Sequence, residues 1–526
     1  MKILLLIIGF LLLHDISFSQ NQNISNGAYF DGEPYLVIDP LNPQHLVAAW
    51  MGFQLSNKIT IKTSYSNNGG TTWSTPIWQP HQVIDNSSAD VSLAYDLNGN
   101  LYMSYIDHDN INFLNGAIYV RKSVDGGSSW GPAVEATSIS DCPNQACIDR
   151  PWIAVDKSGG INDGVIYVTS MNADQPTLSF PPYHPYLSVS TNNGTSFSNP
   201  RFLDTLNFYA GSTITQPMPS PVVTSNGVFM AIYPAYEPLN QGPFAHLYIA
   251  KSTSAGIDID QLDAYSGVGS PISNTYLKKG SLFKSDPSDP NHIAYFFLKE
   301  TSGDVDVYFM ESFDAGTVWT TQIRINQDPL GNNNLQDLVW ADFDSDGDLA
   351  VCWRDRRNGI ANTYQTGTEI YGVVRWKDSI NFSPDFPISS QLVSHDAVLE
   401  GNGNDFMNVN FLNDTIYAVW GDVRTGVLSI YLNKIGVISG TNSIQIISQE
   451  SLSSFNVYPN PTSDKLYLKE KMIVDSYKVI NENGQEIMNG VEFPESGLSV
   501  SKLTSGIYQI FLYSGKEIKM TLFIKE

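Results

Sequence analysis

Arginine is scarce in this chain, so where it falls carries information. Beyond Gly331 only Arg354, Arg356, Arg357, Arg375 and Arg424 remain. The pattern W-x-D-x-R-x-G occurs twice, from Trp353 and from Trp420. A guanidinium grips a carboxylate with two parallel N–H donors. Arg354, Arg357 and Arg424, joined by Arg150 of "DRPWIAVD", are therefore candidates for a cationic pocket that binds an acidic sugar. Two readings stay open for the repeated motif: the pocket, or local ion pairs Asp355–Arg357 and Asp422–Arg424 that hold their own loops. Proton transfer and nucleophilic attack need a carboxylate, a phenol or an imidazole. Asp107, Glu237 and Tyr364 are the catalytic candidates, and His184 joins the arginines as a substrate-binding candidate.

Other reactive groups are few. "DFDSDGD", Asp342 to Asp348, has the alternating carboxylates of a calcium loop but no Glu at the usual distance. Asp342, Asp344 and Asp346 are its candidate ligands; no other cofactor or metal is expected. Cys142 and Cys147, in "CPNQAC", are spaced to close a small disulfide loop, and Cys352 sits in an apolar strand as inert core.

These residues need a scaffold, and the chain repeats one. "SVDGGSSW" (Ser123–Trp130) returns as "SNNGGTTW" (Ser66–Trp73), "STNNGTSF" (Ser190–Phe197) and "SFDAGTVW" (Ser312–Trp319), with a worn copy at Ser252–Ile259. With "IYGVVR" and "IYLNKI" continuing the series, seven units of about sixty residues result. Each unit reads as strand A, tight turn, strand B, variable loop, strand C, repeated turn, strand D. Such units arranged radially make an all-β, seven-bladed propeller; six blades is the alternative count. Residues 20–30 are expected to close the ring on the last blade. The repeated turns and the A–B turns share one face, and the variable B–C loops gather on the other, where ligands belong.

The repeated turn resembles the Asp-box, or BNR repeat, of the sialidase superfamily. The resemblance implies a glycosidase of the exo-sialidase kind, with three arginines on the substrate carboxylate, a Tyr nucleophile activated by a Glu, and an Asp as acid/base. The F/Y-R-I-P motif of that family is absent: "GEPYLVIDP" has no Arg. A uronate-directed polysaccharide lyase therefore stays open, with Tyr183, His184, His108 and Tyr236 as bases.

The ends of the chain speak of destination. "MKILLLIIGFLLLHDISFSQ" reads as a signal peptide over residues 1–19. Residues 20–440 form the propeller and 441–454 a polar linker. Residues 455–526 form a small β-sandwich that resembles the C-terminal sorting domain of the Bacteroidetes type IX secretion system, through "VYPNP", "NGQ", "GIY" and a basic finish. The resemblance implies contact with the secretion machinery and release outside the cell or attachment to its surface. A net charge of −24 over 526 residues argues against nucleic acid as a partner. The expectation is a secreted, monomeric propeller acting on acidic glycans, hydrolase or lyase; the alternative is a non-catalytic glycan- or protein-binding propeller.

Overall fold

A computed structural model describes residues 21–437 and 452–526, except 28, 54–57, 110–114, 143–145, 173–183, 205–218, 236–245, 267–271, 275, 279–280, 302, 401–403, 470–471, 482–485 and 515–516. The chain divides into two compact units, Asn21–Gln445 and Ile446–Glu526.

The first unit is a β-propeller. Among the described residues it holds seven four-stranded antiparallel sheets, one for each sequence unit. Blade 1 runs Asp31–Asp39, Asn42–Phe53, Ile59–Ser66 and Ile77–Trp78, and blade 2 runs Asn86–Tyr95, Leu101–Asp109, Gly116–Ser123 and Val134–Ser138. Blade 3 comprises Asp149–Val155, Ile166–Met171, Pro185–Ser190 and Arg201–Phe202; blade 4 comprises Ser220–Val223, Phe229–Ala235, His246–Ser252 and Asp260–Ser266. Blade 5 is Leu282–Ser285, Ile293–Thr301, Asp304–Ser312 and Ile323–Arg324; blade 6 is Gln336–Phe343, Leu349–Asp355, Glu369–Arg375 and Phe386–Pro387. Blade 7 takes Asn408–Leu412, Thr415–Asp422 and Ser429–Gly436 from the end of the propeller and its outer strand, Gln22–Asn23, from the beginning. That pairing closes the ring as the sequence predicted. The B strands lie between neighbouring blades and are covered on both faces, so they read as continuous apolar runs rather than alternations. Leu349–Asp355 is buried throughout.

The repeated turn is a fixed hydrogen-bonded unit. In "SFDAGTVW" the Ser312 hydroxyl donates to Asp314 Oδ1 at 2.8 Å and accepts the Gly316 amide at 2.9 Å, while Asp314 Oδ1 accepts the Val318 amide at 2.8 Å. The same three bonds recur at Ser66, Ser123 and Ser190. In the worn copy Ser254 replaces the acidic residue and still accepts the Asp258 amide. Glycine is required at the fifth position because φ lies between +77° and +91° in all five copies. It is required again because the backbone there presses on the preceding blade: a Cβ on Gly127 would sit 3.0 Å from Val47, on Gly256 2.8 Å from Val189, and on Gly316 2.6 Å from Ile249. These turns also touch the A–B turns of their neighbours, as in His45 Nε2 to the Gly126 carbonyl at 2.7 Å. Both sets of turns thus occupy one face.

At the axis the A strands bring Tyr35, Trp152, Trp340 and Phe406 into an aromatic layer. Trp152 stands 5.5 Å from Trp340, 5.0 Å from Phe406 and 5.9 Å from Tyr35, centroid to centroid. Below it, toward the Asp-box face, lies a channel of about 290 Å³ walled by A-strand residues.

The second unit packs a five-stranded sheet and a three-stranded sheet around Phe455, Leu466, Val479, Ile510 and Phe523, the small β-sandwich expected. Cys142 and Cys147 are joined by a disulfide, and Cys352 is free and buried.

Candidate functional site

Four A strands begin with the same irregularity. The ladder shifts register between Gly32 and Tyr35, Ala89 and Ser92, Asp149 and Trp152, and Asp337 and Trp340. Each shift holds a left-handed, non-glycine residue: Glu33 (φ +53°), Asp90 (+52°), Arg150 (+54°) and Leu338 (+54°). Each such residue costs on the order of 1–3 kcal/mol and persists only where the surroundings enforce it. Four at one level of one ring mark the face opposite the Asp-boxes as built for something other than stability.

The side chains around these bulges form one ionic network. Arg150 Nη2 meets Asp405 Oδ2 at 2.6 Å, and Lys278 Nζ meets Asp405 Oδ1 at 2.8 Å. The Lys278 backbone amide donates to Asp337 Oδ2 at 3.2 Å. Asp337 in turn accepts Arg354 in a two-pronged pair, 2.7 and 2.6 Å, and Arg356 at 3.1 Å. The Asp405 amide donates to Glu33 at 3.3 Å, and the Arg150 amide lies 3.3 Å from Asp90 and 3.0 Å from Asp149. Asp90 lies close enough to Glu33 and Asp149 to raise the pKa of both.

Protonation follows from burial and charge. Burial, reinforced by the neighbouring carboxylates Asp90 and Asp405 and opposed by Arg150, pushes Glu33 well above the usual carboxylate range. Burial does the same to Asp149, with Arg150 opposing and Asp90 assisting. Asp337 goes the other way: against its burial, Arg354 and Arg356 hold it far below that range. Arg150, Lys278, Arg354 and Arg356 thus share the site with Glu33, Asp90, Asp149, Asp337 and Asp405. Arg150 Nε and Nη1 and Arg354 Nη1 are buried without a hydrogen-bond partner among the described residues. Such donors are costly to leave unused.

The predicted site residues divide. Arg150 and Arg354 lie in this network, linked through Asp405, Lys278 and Asp337. Tyr364 borders it: Arg354 reaches the phenol oxygen at 3.4 Å, while that hydroxyl donates to the Leu399 carbonyl at 3.0 Å. Its hydroxyl is engaged by a carbonyl and has no carboxylate partner among the hydrogen bonds of the described residues. Arg357 and Arg424 are held in their own loops. Arg357 pairs with Asp355 at 2.7 Å and lies over the Tyr371 ring; Arg424 pairs with Asp422 at 2.6 Å and lies over Tyr431. Trp353 donates to Asp355 and Trp420 to Asp422, so each motif braces its own arginine, while Arg357 also meets Asp385 at 2.8 Å and Arg424 also reaches Asn21 and Ser390. The structure thus places Arg150 and Arg354 in one network and Arg357 and Arg424 in separate corners. Asp107 is buried away from the axis, accepting the Gln82 amide at 2.5 Å, with His81 at 3.8 Å. His184 is buried in blade 3 against Asp204 at 2.8 Å. Glu237 lies outside the described residues, as do Tyr183 and Tyr236.

The candidates drawn from the sequence include Arg150 and Arg354 of this network but not Glu33, Asp90, Asp149, Lys278, Asp337 or Asp405. A signal existed. "EPY" and "RPW" place Glu33 and Arg150 alike, two residues before an axial aromatic and immediately before proline, which disfavours a helical residue at that point.

In the calcium-like run, Asp344, Asp346 and Asp348 bring one oxygen each within 4.8 Å of one another. Asp342, expected among them, instead pairs with Lys284 at 3.2 Å, and Asp348 takes its place. Three carboxylate oxygens are a donor set suited to a hard cation.

Residues 456–526 match the family model of the secretion system C-terminal sorting domain. The chain is therefore directed by type IX secretion to the cell surface or beyond. No curated protein matches the chain. Among solved structures, it is similar to a Hadza microbial sialidase (13% identity, 74% of this chain and 73% of that one, TM-score 0.41). It is also similar to an ulvan lyase bound to -[GlcA(1-4)Rha3S]- (12%, 71% and 82%, 0.40) and to a Penicillium chrysogenum α-L-arabinanase complexed with arabinobiose (11%, 79% and 98%, 0.42). The propeller rests on this chain's own sheets, and these weak similarities add nothing to it.

Proposed function

We propose that this is an exported carbohydrate-active propeller, led out by a signal peptide at residues 1–19, whose reaction centre is the axial network and whose substrate is an acidic glycan. The observation that carries this reading is Arg150: a buried guanidinium with two unused N–H groups, set beside two carboxyl groups, Glu33 and Asp149, whose pKa burial pushes up. The substrate carboxylate docks on Arg150 and the free Arg354 Nη1. As the glycosidic C–O bond breaks, Glu33 or Asp149 delivers a proton to the departing oxygen, and Asp90, beside both, accepts one from the water that attacks the sugar carbon or, in an elimination, from the carbon next to the carboxylate. Acid/base pairs of this kind contribute about 10²–10⁴-fold.

The test is a screen of the purified chain against sialylated and uronate-containing glycans, reading released sugar and the absorbance of unsaturated products. Asp90→Asn is expected to lower turnover by about 10²-fold or more with binding kept, and Arg150→Met to weaken binding. Turnover unchanged in Asp90→Asn would end the acid/base assignment. A second reading, a non-catalytic glycan-binding propeller, is favoured by Tyr364 and the two loop-bound arginines; binding with no product from any glycan would select it.

A further inference from the structure

The axial channel on the Asp-box face belongs to none of the chemistry above. None of the network carboxylates or arginines lines it, and the aromatic layer closes its inner end. Its mouth carries charge. Lys157, from the A–B turn of blade 3, Lys284 of blade 5 and Asp342 of blade 6 all line the channel. Lys284 is neutralised by Asp342 at 3.2 Å. Lys157 has an exposed side chain and no ion-pair partner among the described residues; the protein around it still desolvates the ammonium enough to lower its pKa, Asp342 opposing and Lys284 assisting. At the inner end Trp340 is only 5% exposed, and its Nε1–H has no acceptor. Among the described residues, the channel lining therefore offers a lysine without an ion-pair partner and, among its buried polar atoms, the unused Trp340 Nε1–H.

We propose that this channel is a second ligand site, which takes a small monocarboxylate of monosaccharide size, its carboxylate on Lys157 and an acceptor oxygen on Trp340. Charge selects the class. A neutral sugar leaves Lys157 unpaired, while a dianion would set its second charge against Asp342, where like charges repel strongly in a confined space. Volume selects the size: at ~30 Å³ per water the cavity replaces about ten waters, which is room for one sugar ring and no oligomer.

Isothermal titration of the full chain with glucuronate tests this, with glucose and inorganic phosphate as comparison ligands. Glucuronate is expected to bind saturably and glucose to give no heat. Lys157→Met is expected to weaken glucuronate roughly tenfold or more, and Lys157→Arg to restore most of it. Lys157 is exposed to the channel and carries no packing duty, so its variants should keep the parent melting temperature. Equal affinity in the parent and in Lys157→Met overturns the proposal, since binding would then lie elsewhere. No binding by the parent up to about 10 mM also overturns it. Phosphate binding tighter than glucuronate at alkaline pH, where phosphate is a dianion, would overturn the carboxylate class.

Discussion

Gly316 and Gly426 separate two costs that a glycine can avoid. Both have positive φ, +91° and +84°. A Cβ on Gly316 would meet Ile249 Cδ1 of the preceding blade at 2.6 Å, whereas one on Gly426 would meet nothing within 4 Å. Gly426→Ala is therefore expected to cost the backbone strain alone, about 1–2 kcal/mol. Gly316→Ala adds overpacking, for about 2–4 kcal/mol in all. Urea denaturation of the two variants checks this; equal losses would mean that Ile249 yields freely and that the turn does not lock one blade to the next. The glycine was legible in the repeat as a turn residue. Its role between blades was not, because the neighbour it touches is some seventy residues away in sequence.

The element most exposed to test is the short outer strand of blade 7. Gln22–Asn23 pairs with Leu432 and Tyr431. Around it Ile24 and Phe30 are buried, and the Asn21 side chain bonds the Ile388 carbonyl, Ser390 and Arg424. Burying two such side chains is worth about 3–6 kcal/mol together, and their loss would open a sheet edge in the last blade. A chain lacking residues 21–30 is expected to melt far below the parent or to aggregate. A melting temperature within a few degrees of the parent would show that the ring is held shut by blade-to-blade packing alone. The W-x-D-x-R-x-G corners teach a related lesson. The motif fixes the local bonds of Asp355 and Asp422, and for that reason it keeps Arg357 and Arg424 from the axis.

For the whole molecule, the buried carboxylates predict the pH dependence of stability. Burial raises Asp344 to about 8 and Asp348, Asp414 and Asp204 to about 6. A carboxyl with a raised pKa binds more protons folded than unfolded, so each weakens the fold as pH climbs from about 4 to its own folded value. His292 adds to the slope: against its burial, Asp286 and Glu311 hold its imidazolium above the usual range, and that support fades as pH rises. Asp337, Asp405 and Glu311 lie below the usual range, against burial, because of their arginine, lysine and histidine partners; their contribution is lost in acid. Stability is therefore expected to peak near pH 4–5 and to decline toward pH 8. Thermal melts across pH 3–9 measure it, and a maximum at or above pH 7 contradicts the assignment. Calcium added at pH 8 should raise the melting temperature if Asp344, Asp346 and Asp348 hold it, and leave it unchanged if they do not.

The sequence by itself determined the repeating unit, its strand order, the common face of its turns, the ring closure, the disulfide and the C-terminal sandwich. Each follows from local chemistry: hydrogen bonds within a turn, the φ that glycine permits, apolar runs of strand length. Only the tertiary structure decided the site. Glu33, Asp90, Arg150, Lys278, Asp337 and Asp405 come from separate segments spread over some 370 residues, and they meet because the ring brings its inner strands to one axis. Whether a charged group there is paired, protonated or free depends on what the opposite blade presents, and a linear pattern holds no record of that.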